Sequence, residues 1–432
     1  MTSPDVVGPD GAKPAEGDEL PGGVAGLYQR AWFNLRTGNL GPSPIIVGEI
    51  LVVVLFGLTA TNFFTAVNFT NLINQMAGTA MLAFGVVFVL LLGEIDLSIG
   101  YVGPVGAVIA VQLVQPSTTN WPWWAAITVA LLACALIGAL QGTLVTRLRL
   151  PSFIVTLAGL LIFNGVLLIV LGFGPFSGYP SLSGPQPNLR ALYNLMWGQI
   201  NPVASWIALA LIVGLLGLNM FLRDAHRRRS GLVAPPVSLT LIKIGLMAAV
   251  GIAVVAVCNI NRAHIGTLEG VPWAIFVVLG VLGAWTFLLQ RTRYGRYVYA
   301  IGGNAEAARR AGINVNRVRT LAFVLCSFTA GIAGLLYASY LGGMSNNVNG
   351  GQLVLYAVAA AVIGGTSLFG GRGKAVHGVL GGLVIGGIYN GMYLLGLKVQ
   401  WEFIVTGIVL ICAVTIDAVS RRNTTSGGAG PY

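Results

Sequence analysis

Twelve stretches of this chain are each long and apolar enough to cross a lipid bilayer, and this pattern constrains the fold more than any other feature. A membrane-spanning helix needs about 20 apolar residues. Only 9% of the residues are charged, against about 25% in soluble proteins. Because a bilayer offers no hydrogen-bond partners, backbone groups within each stretch must pair with one another. We therefore predict an all-α, polytopic membrane helix bundle of about 12 spans.

The predicted spans have the following bounds. They are Ile46–Phe64, Leu72–Leu92, Leu97–Gln115, Trp123–Val145, Ser152–Leu171, Pro202–Leu222, Val237–Cys258, Val271–Leu289, Thr320–Leu341, Leu353–Gly370, Val376–Gly396 and Trp401–Val419. The third span contains Gly100, Gly103, Pro104 and Gly106, residues that break or bend a helix, so we expect it to be bent or broken.

The net charge of +11 is explained by membrane topology, without a nucleic-acid partner. With both termini cytoplasmic, the inner segments hold 20 of the 24 Lys and Arg residues. Lys243 extends toward the same side, which leaves Arg190, Arg262 and Lys398 outside. This asymmetry follows the positive-inside rule and favours twelve spans with both termini inside. The Arg-rich inner loop at 223–236 also suits anionic membrane lipid.

The spans divide the chain into three regions. We predict a disordered cytoplasmic N-terminal tail over residues 1–43, a transmembrane domain over 44–420 and a cytoplasmic C-terminal tail over 421–432. The largest inner loop covers residues 291–319, and the longest outer loop, about Gly172–Asn201, is a candidate cap for the outer mouth. The four cysteines lie within apolar runs without metal-ligand spacing, so we predict no metal or cofactor site in the chain.

The inner loop contains the sequence GGNAEAARRAGI, which predicts a short cytoplasmic helix. Asn304 is a suitable N-cap, Glu306 lies in the first turn and Gly312 ends the helix. Small alanines beside paired arginines let such a helix lie in the groove of another protein and reach its carboxylates. A solvated connector is the alternative. The residues predicted to dock are Gly303, Asn304, Glu306, Ala307, Ala308, Arg309, Arg310 and Gly312.

A second motif, GEIDLSIG, contains Glu94 and Asp96, the only acids between Glu49 and Asp224. Acidic residues at membrane depth are costly and usually functional. The alternatives are a proton relay, a cation site and the capping of a broken helix. Asp96 stands just before the third span and suits an N-cap, so we favour capping.

A Gly-rich stretch, AVIGGTSLFGGRGK, superficially suggests a phosphate-binding loop. The pattern G-x-x-x-x-G-K-[ST] fails, because Leu368 stands where the first glycine is needed and Ala375 follows Lys374. No other segment of the sequence offers this motif, so ATP hydrolysis by a P-loop of its own is excluded. Downstream, Gly378, Gly382 and Gly386 form a small-residue stripe that predicts close helix packing.

Uncharged polar side chains within the spans suit a neutral polyhydroxylated solute, which is recognised by hydrogen bonds. Hydrogen bonding between helices is the alternative for each of them. The candidates for the translocation path or the helix break are Asn74, Gln75, Glu94, Asp96, Ser98, Asn164, Thr366, Ser367 and Asn390, and Gln141 has the same character. So few buried ionisable groups make a charge-relay pump unattractive.

Three motifs together resemble the permease subunits of bacterial ABC importers for monosaccharides, of the ribose/xylose type and nearest the xylose-type branch. They are LLLGEIDLSIG (90–100), YGRYVYAIGGNAEAARRAGI (294–313) and AAAVIGGTSLFGGRG (359–373), and the similarity covers about residues 46–419. Ribose-type relatives usually have about ten helices, so the segment at 202–258 departs from their pattern.

The resemblance implies a division of labour. Two permease copies would form the pathway, two cytoplasmic ABC ATPase subunits would bind ATP and Mg, and a periplasmic or lipid-anchored binding protein would deliver the sugar. The segment Gly303–Gly312 matches the helix that docks on the ATPase. The implied location is the bacterial inner (plasma) membrane. Two alternatives remain: an ABC permease for a branched-chain amino acid or nucleoside, and a proton-coupled sugar transporter using Glu94 and Asp96.

Overall fold

The computed structural model describes residues 43–172, 178–232, 235–263 and 265–426. In these residues there are fifteen helices and one two-stranded sheet. Seven of the helices are long and apolar enough to cross a membrane by length and composition, and four more are shorter and apolar. The chain is therefore a polytopic helical membrane protein, as the sequence predicts. Of the N-terminal tail predicted over 1–43, only Ser43 is described, and it begins a helix; residues 1–42 and 427–432 lie outside the described residues.

The elements follow one another in this order. They are α1 Ser43–Thr59, α2 Ala66–Leu91, α3 Ile99–Leu113, α4 Trp123–Arg147, α5 Ser152–Gly172, α6 Pro187–Trp197, β1 Gln199–Ile200, α7 Pro202–Arg229, α8 Val237–Cys258, β2 Val271–Pro272, α9 Trp273–Arg291, α10 Arg293–Gly303, α11 Ala305–Arg310, α12 Val315–Leu341, α13 Gly350–Ile363, α14 Val376–Leu394 and α15 Val399–Ser426.

A helix lies in each of the twelve predicted spans, but several boundaries differ from the prediction, and two of these differences change the description of a segment. The tenth span was expected to reach Gly370, whereas α13 ends at Ile363. The chain turns there because Gly365, Gly370 and Gly371 adopt positive φ, a backbone conformation open to glycine. At the other boundary, α15 continues to Ser426, although the twelfth span was predicted to end at Val419.

The third span is a short helix that begins inside the bundle. After α2 ends at Leu91, residues 92–98 are mostly irregular, and α3 has only 15 residues. Its glycines allow backbones to touch: a Cβ on Gly100 would lie 2.0 Å from the carbonyl oxygen of Gly350, and one on Gly103 would lie 2.6 Å from that of Ala330. Gly100, Gly103, Pro104 and Gly106 all lie within α3, which runs unbroken from Ile99 to Leu113, so these residues do not break the helix and the irregular segment precedes it.

Helices α2 and α12 form the centre of the core, where the run Met81–Leu91 of α2 is buried. Helix α14 packs against them through its glycine stripe, as the sequence predicts. Cβ atoms on Gly378, Gly382 and Gly386 would lie 2.7–2.9 Å from side-chain atoms of α2. Contact at this distance requires glycine, so the stripe serves helix packing.

Four elements were not predicted by hydropathy, two helices and two strands. Helix α6 lies within the segment that was expected to be a capping loop, and α10 precedes the predicted docking helix. Strands β1 and β2 pair antiparallel, with Gln199 opposite Pro272 and Ile200 opposite Val271. The pairing joins the chain just before α7 to the chain just after α8, so the ends of this helical hairpin are held together.

Residues 210–250, which comprise the distal parts of α7 and α8, form a separate compact unit. Its two helices are joined by a buried hydrogen bond from Thr240 Oγ1 to Asp224 Oδ2, of 3.0 Å. Arg223 pairs with the same carboxylate at 3.3 Å, and Gly217 packs against Ile244. The Asp224–Thr240 bond fixes the register of the two helices, because both side chains are buried where they meet.

Candidate functional site

A cavity of about 180 Å³ lies among α2, α3, α12, α13 and α14, with one contribution from α6. This volume is below the roughly 300 Å³ at which pockets for drug-sized ligands begin, so the cavity suits a small solute. Among the residues that the structure describes, its lining contains amides, tyrosines, small residues and aliphatic residues, and no charged side chain. The lining residues are Asn74, Gln75, Gly78, Thr79, Leu82, Pro104, Met196, Ala333, Gly334, Tyr337, Tyr340, Gln352, Leu353, Tyr356, Ile385, Gly386 and Tyr389.

One wall of the cavity carries three of the predicted polar residues. Asn74 and Gln75 of α2 line the cavity, and Asn390 of α14 lies behind them, almost fully buried. Asn390 Nδ2 donates to Gln75 Oε1 at 3.0 Å and to Asn68 Oδ1 at 2.9 Å. The Oδ1 atom of Asn74 is buried without a hydrogen-bond partner among the described residues. This wall therefore contains one amide, that of Gln75, whose orientation is fixed by Asn390.

The facing part of the lining comes from α13. Gln352 Nε2 donates to the hydroxyl oxygen of Tyr356 at 2.8 Å. Both side chains donate to the carboxylate of Glu402 on α15, which is 7% exposed. The carboxylate stands behind the lining and holds two of the side chains that form it.

Aromatic side chains complete the cavity. Tyr337 and Tyr340 of α12 and Tyr389 of α14 are in the lining. The ring of Tyr340 stacks on that of Trp197 of α6, with centroids 5.9 Å apart and an angle of 8° between the planes. Trp197 Nε1 in turn donates to the carbonyl of Ser339 at 3.0 Å. Helix α6 thus supports this wall, and such rings offer apolar faces together with hydroxyl groups.

The acidic motif does not reach the cavity. Asp96 is fully buried and accepts hydrogen bonds from the backbone N–H of Ser98 at 3.0 Å and from its hydroxyl at 2.6 Å. Ser98 contacts Gln141 of α4 at 3.0 Å. Glu94 forms an ion pair with Arg319 at 3.2 Å. The N-cap position of α3 is occupied by Ser98, and Asp96, predicted to be the N-cap, instead accepts hydrogen bonds from Ser98 in the irregular segment before the helix.

The remaining polar candidates lie elsewhere. Thr366 and Ser367 are in the turn between α13 and α14, where Thr366 Oγ1 is 3.4 Å from His377 Nδ1 and the Ser367 N–H donates to Arg372 O. Asn164 is a half-buried residue of α5 and is not in the cavity lining. Of the nine candidates for the path or the break, two line the cavity directly and Asn390 supports one of them.

The predicted docking helix is present as α11, over Ala305–Arg310. Asn304 Oδ1 caps it by accepting from Ala307 N at 3.0 Å. Gly312, just after the helix, has φ of +82°. Ala308 is buried, while Glu306 pairs at the surface with Arg309 at 3.0 Å and with Arg310 at 3.3 Å. Helix α11 therefore presents most of its surface outward.

Helix α10 connects α11 to the core. A Cβ on Gly302 would lie 1.9 Å from Leu91 O and 2.6 Å from Gly371 N, so three backbone segments meet there. Tyr299 adds a hydrogen bond from its hydroxyl to Gly373 O, of 2.8 Å. The end of α2, the turn after α13 and the end of α10 are packed as one junction, which we call the glycine junction (Leu91, Gly302 and Gly371).

Sequence reasoning missed the tyrosines, Gln352 and Glu402. Tyr337 and Tyr340 are three residues apart in a predicted span, which places both on one helix face. Glu402 is an acid near the start of the twelfth predicted span, and acids at such positions are usually functional. Within the described residues, no group of three or more His, Cys, Asp or Glu side chains is arranged to hold a metal ion.

This chain is similar to known transport proteins over most of its length. The family described as "Branched-chain amino acid transport system / permease component" matches residues 68–414. The xylose transport system permease protein XylH of Escherichia coli K12 is 35% identical over 388 residues, covering 88% of this chain and 92% of the relative. XylH of Haemophilus influenzae is 33% identical, covering 90% and 99%. The ribose import permease RbsC of E. coli K12 is 28% identical, covering 86% and 92%. No solved structure matches the chain.

Proposed function

This chain belongs to the branched-chain amino acid transport system / permease component family, and from that premise we propose that it is the membrane subunit of an ATP-driven importer of a neutral monosaccharide. The relatives named above are permeases for xylose and ribose. The observation that carries the choice of a sugar is the cavity, whose lining combines amides, hydroxyl groups and aromatic rings with small and aliphatic residues.

The absence of charged side chains from this lining separates the candidate solutes. A zwitterionic amino acid would need partners for both its ammonium and its carboxylate, because an unpaired charge in a dry cavity is very costly. A neutral sugar needs donors and acceptors, which Gln75, Gln352 and the tyrosines supply. An amino acid or a nucleoside remains the alternative solute, with helix termini compensating the charges of the amino acid.

ATP hydrolysis is assigned to a partner subunit. The sequence contains no P-loop, and α11 offers an outward-facing surface of small residues flanked by paired arginines. In the proposed complex, two cytoplasmic ABC ATPase subunits bind ATP and Mg and dock on α11. The proposed docking surface is formed by Gly303, Asn304, Glu306, Ala307, Arg309, Arg310 and Gly312, while the buried Ala308 packs against the core of this chain. The chain itself is a transporter subunit without its own ATPase site and without a cofactor.

The proposed orientation of the chain in the membrane follows from the distribution of its charged residues. We place the chain in the bacterial inner membrane with twelve spans and both termini cytoplasmic, because the end with α11 is rich in arginine. Helix α12 begins at Val315, beside α11, and ends at Leu341, and the next residue, Gly342, accepts a hydrogen bond from the backbone N–H of Leu182. The two ends of α12 are about 40 Å apart at 1.5 Å per residue, so α11 and Leu182 lie near opposite ends of this helix. A membrane-impermeant thiol reagent should label Arg310→Cys from inside only and Ser183→Cys from outside only; the reverse pattern refutes the orientation.

A second permease copy and a periplasmic or lipid-anchored sugar-binding protein complete the proposed importer. The arginine cluster at 227–229 suits anionic lipid headgroups. Co-expression with the partner ATPase, followed by purification and a measurement of ATP hydrolysis against a panel of sugars, amino acids and nucleosides, tests the proposal. Stimulation by a pentose through its binding protein is expected. Stimulation by leucine but by no sugar would identify the alternative solute.

A further inference from the structure

The two glutamines of the cavity, Gln75 and Gln352, each bond to one side chain that does not line it, Asn390 and Glu402 respectively. We propose that Asn68 and Glu402 are positioning residues that set the hydrogen-bond polarity of the cavity, so that Gln75 presents a donor and Gln352 an acceptor to one bound solute. The inference rests on the proposed function, in which this cavity receives a neutral polyhydroxylated molecule.

The orientation of Gln75 traces back to a backbone carbonyl. The oxygen of Phe63 can only accept, so the Asn68 atom 2.9 Å away must be its Nδ2 nitrogen. Asn68 Oδ1 then faces Asn390 Nδ2 at 2.9 Å, and the second hydrogen of Asn390 Nδ2 goes to Gln75 Oε1 at 3.0 Å. Each amide in the series fixes the next, and the Nε2 of Gln75 is left for the cavity.

Burial makes this series rigid. Asn68 is 4% exposed and Asn390 is 1% exposed, so water does not compete for their hydrogen bonds. Asn68 Nδ2 also donates to Asn390 Oδ1 at 2.9 Å, which makes the bond between the two amides reciprocal. A reversed Gln75 would place its nitrogen against the nitrogen of Asn390, leaving buried donors unpaired at a cost of roughly 1–3 kcal/mol.

The orientation of Gln352 traces back to a carboxylate. An ionised carboxylate only accepts, and that of Glu402 receives hydrogen bonds from the Tyr356 hydroxyl and from Gln352 Nε2. The Nε2 atom also donates to the Tyr356 oxygen, so both of its hydrogens are used. The Oε1 atom of Gln352, an acceptor, is left for the cavity.

A cavity of this polarity distinguishes the hydroxyl groups of its solute. One hydroxyl accepts from Gln75 Nε2, and another must donate to Gln352 Oε1. A deoxy analogue lacks the hydroxyl and therefore loses the hydrogen bond at whichever of the two positions is changed. A fluoro analogue loses only the bond in which the hydroxyl donates, because fluorine can accept a hydrogen bond but cannot donate one. Wild type should therefore show one sugar position that tolerates fluorine and one that does not.

The test uses the assembled complex of permease, ATPase and binding protein in vesicles, with D-xylose and its mono-deoxy and mono-fluoro analogues as probes. Glu402→Met removes the acceptor that holds Gln352. We expect the KM for xylose uptake to rise about tenfold, as for one lost hydrogen bond, with little change in kcat. The fluorine-intolerant position should become tolerant. Glu402→Gln, which keeps an acceptor oxygen, should stay within about twofold of wild type.

Matched control variants distinguish a change in the orientation of Gln75 or Gln352 from a general change in helix packing. Thr406→Val removes another buried hydroxyl from α15 and should leave the KM and the analogue profile unchanged. Asn68→Leu should alter the response at the hydroxyl that accepts from Gln75, while Thr70→Val, whose hydroxyl bonds to its own helix at Ala66 O, should not. Because every variant is measured with the same binding protein, differences among variants report on the permease.

The outcomes distinguish this inference from the function on which it rests. If the wild-type complex transports none of the sugars, both the proposed function and the positioning roles are refuted. If wild type transports xylose but Glu402→Met and Asn68→Leu keep the wild-type KM and analogue profile, only the positioning roles are refuted. Equal losses in Glu402→Met and Glu402→Gln would refute the role of Glu402 as an acceptor. Melting temperature and co-purification of the ATPase show whether each variant is folded.

Discussion

The backbone N–H of Gly371 donates to the carbonyl oxygen of Leu91 at 2.9 Å, which joins the turn after α13 to the end of α2. Gly302 at the end of α10 packs directly against both residues. Helix α2 continues from Leu91 to Asn74 in the cavity, a distance of about 26 Å along a helix. The glycine junction thus links the exposed helix α11 to the wall of the cavity through two packed helices.

The glycine junction predicts different effects for two adjacent substitutions. Gly302→Ala would place a Cβ 1.9 Å from Leu91 O, whereas Gly303→Ala meets nothing within 4 Å. Overpacking of this kind costs about 1–3 kcal/mol, so Gly302→Ala should lower the melting temperature and reduce uptake. Gly303→Ala should leave the melting temperature unchanged or slightly raised. Equal stability and uptake in the two variants would contradict the close packing.

The surface of α11 predicts a defect in assembly without a defect in folding. Glu306 and Arg309 are both exposed, and surface ion pairs contribute at most about 1 kcal/mol. The double variant Glu306→Ala, Arg309→Ala should therefore remain in the membrane with unchanged stability. It should lose co-purification of the ATPase and sugar uptake. Lys398→Ala removes an exposed charge far from α11 and serves as the control. Retention of both ATPase and uptake in the double variant would refute docking at α11.

The ion pair of Glu94 with Arg319 predicts non-additive effects on stability. The side chains are 13% and 29% exposed, so loss of Arg319 leaves a carboxylate that is poorly solvated and unpaired. Breaking such a pair costs about 3 kcal/mol, and replacing both partners costs less. In detergent, Arg319→Gln should lower the melting temperature more than the combined change Glu94→Gln, Arg319→Gln does. Additive effects would mean that the two groups do not interact.

The cavity predicts that transport can be blocked without unfolding. Gly78 lines the cavity, and a Cβ added there meets no atom within 4 Å. Gly78→Leu should fill the space, abolish uptake and keep the melting temperature, since glycine is unfavourable within a helix. Gly165→Leu on α5 is the matched control, because its Cβ also meets nothing within 4 Å but lies outside the lining. Normal uptake by Gly78→Leu would remove this cavity from the solute's path.

The sequence predicts the parts of the fold that depend on local chemistry. Hydropathy predicts where the long apolar helices lie, and the types of residue around Asn304 and Gly312 predict α11 together with its cap. The glycines of α14 predict close packing because their spacing places them on one face. These signals lie within single segments, so no knowledge of the neighbouring helices is needed.

The parts that sequence reasoning missed depend on contacts between distant segments. Asn390 resembles many other buried amides until α14 is placed beside α2, where it meets Asn68 and Gln75. Glu402 reaches Gln352 from α15, fifty residues further along the chain. Thr366 and Ser367 share the polarity of Asn74 and Gln75 but lie in a turn outside the cavity lining. Polarity alone therefore identifies candidates, and helix packing selects among them.

The most direct test of an ATP-driven sugar importer is the accumulation of labelled D-xylose in proteoliposomes. The vesicles carry the permease and its ATPase, with the binding protein on the opposite side of the membrane from ATP. We predict accumulation that requires ATP, persists when an uncoupler collapses the proton gradient and disappears in the Gly78→Leu variant. Accumulation that follows an imposed pH gradient without ATP would contradict the account and identify a proton-coupled transporter.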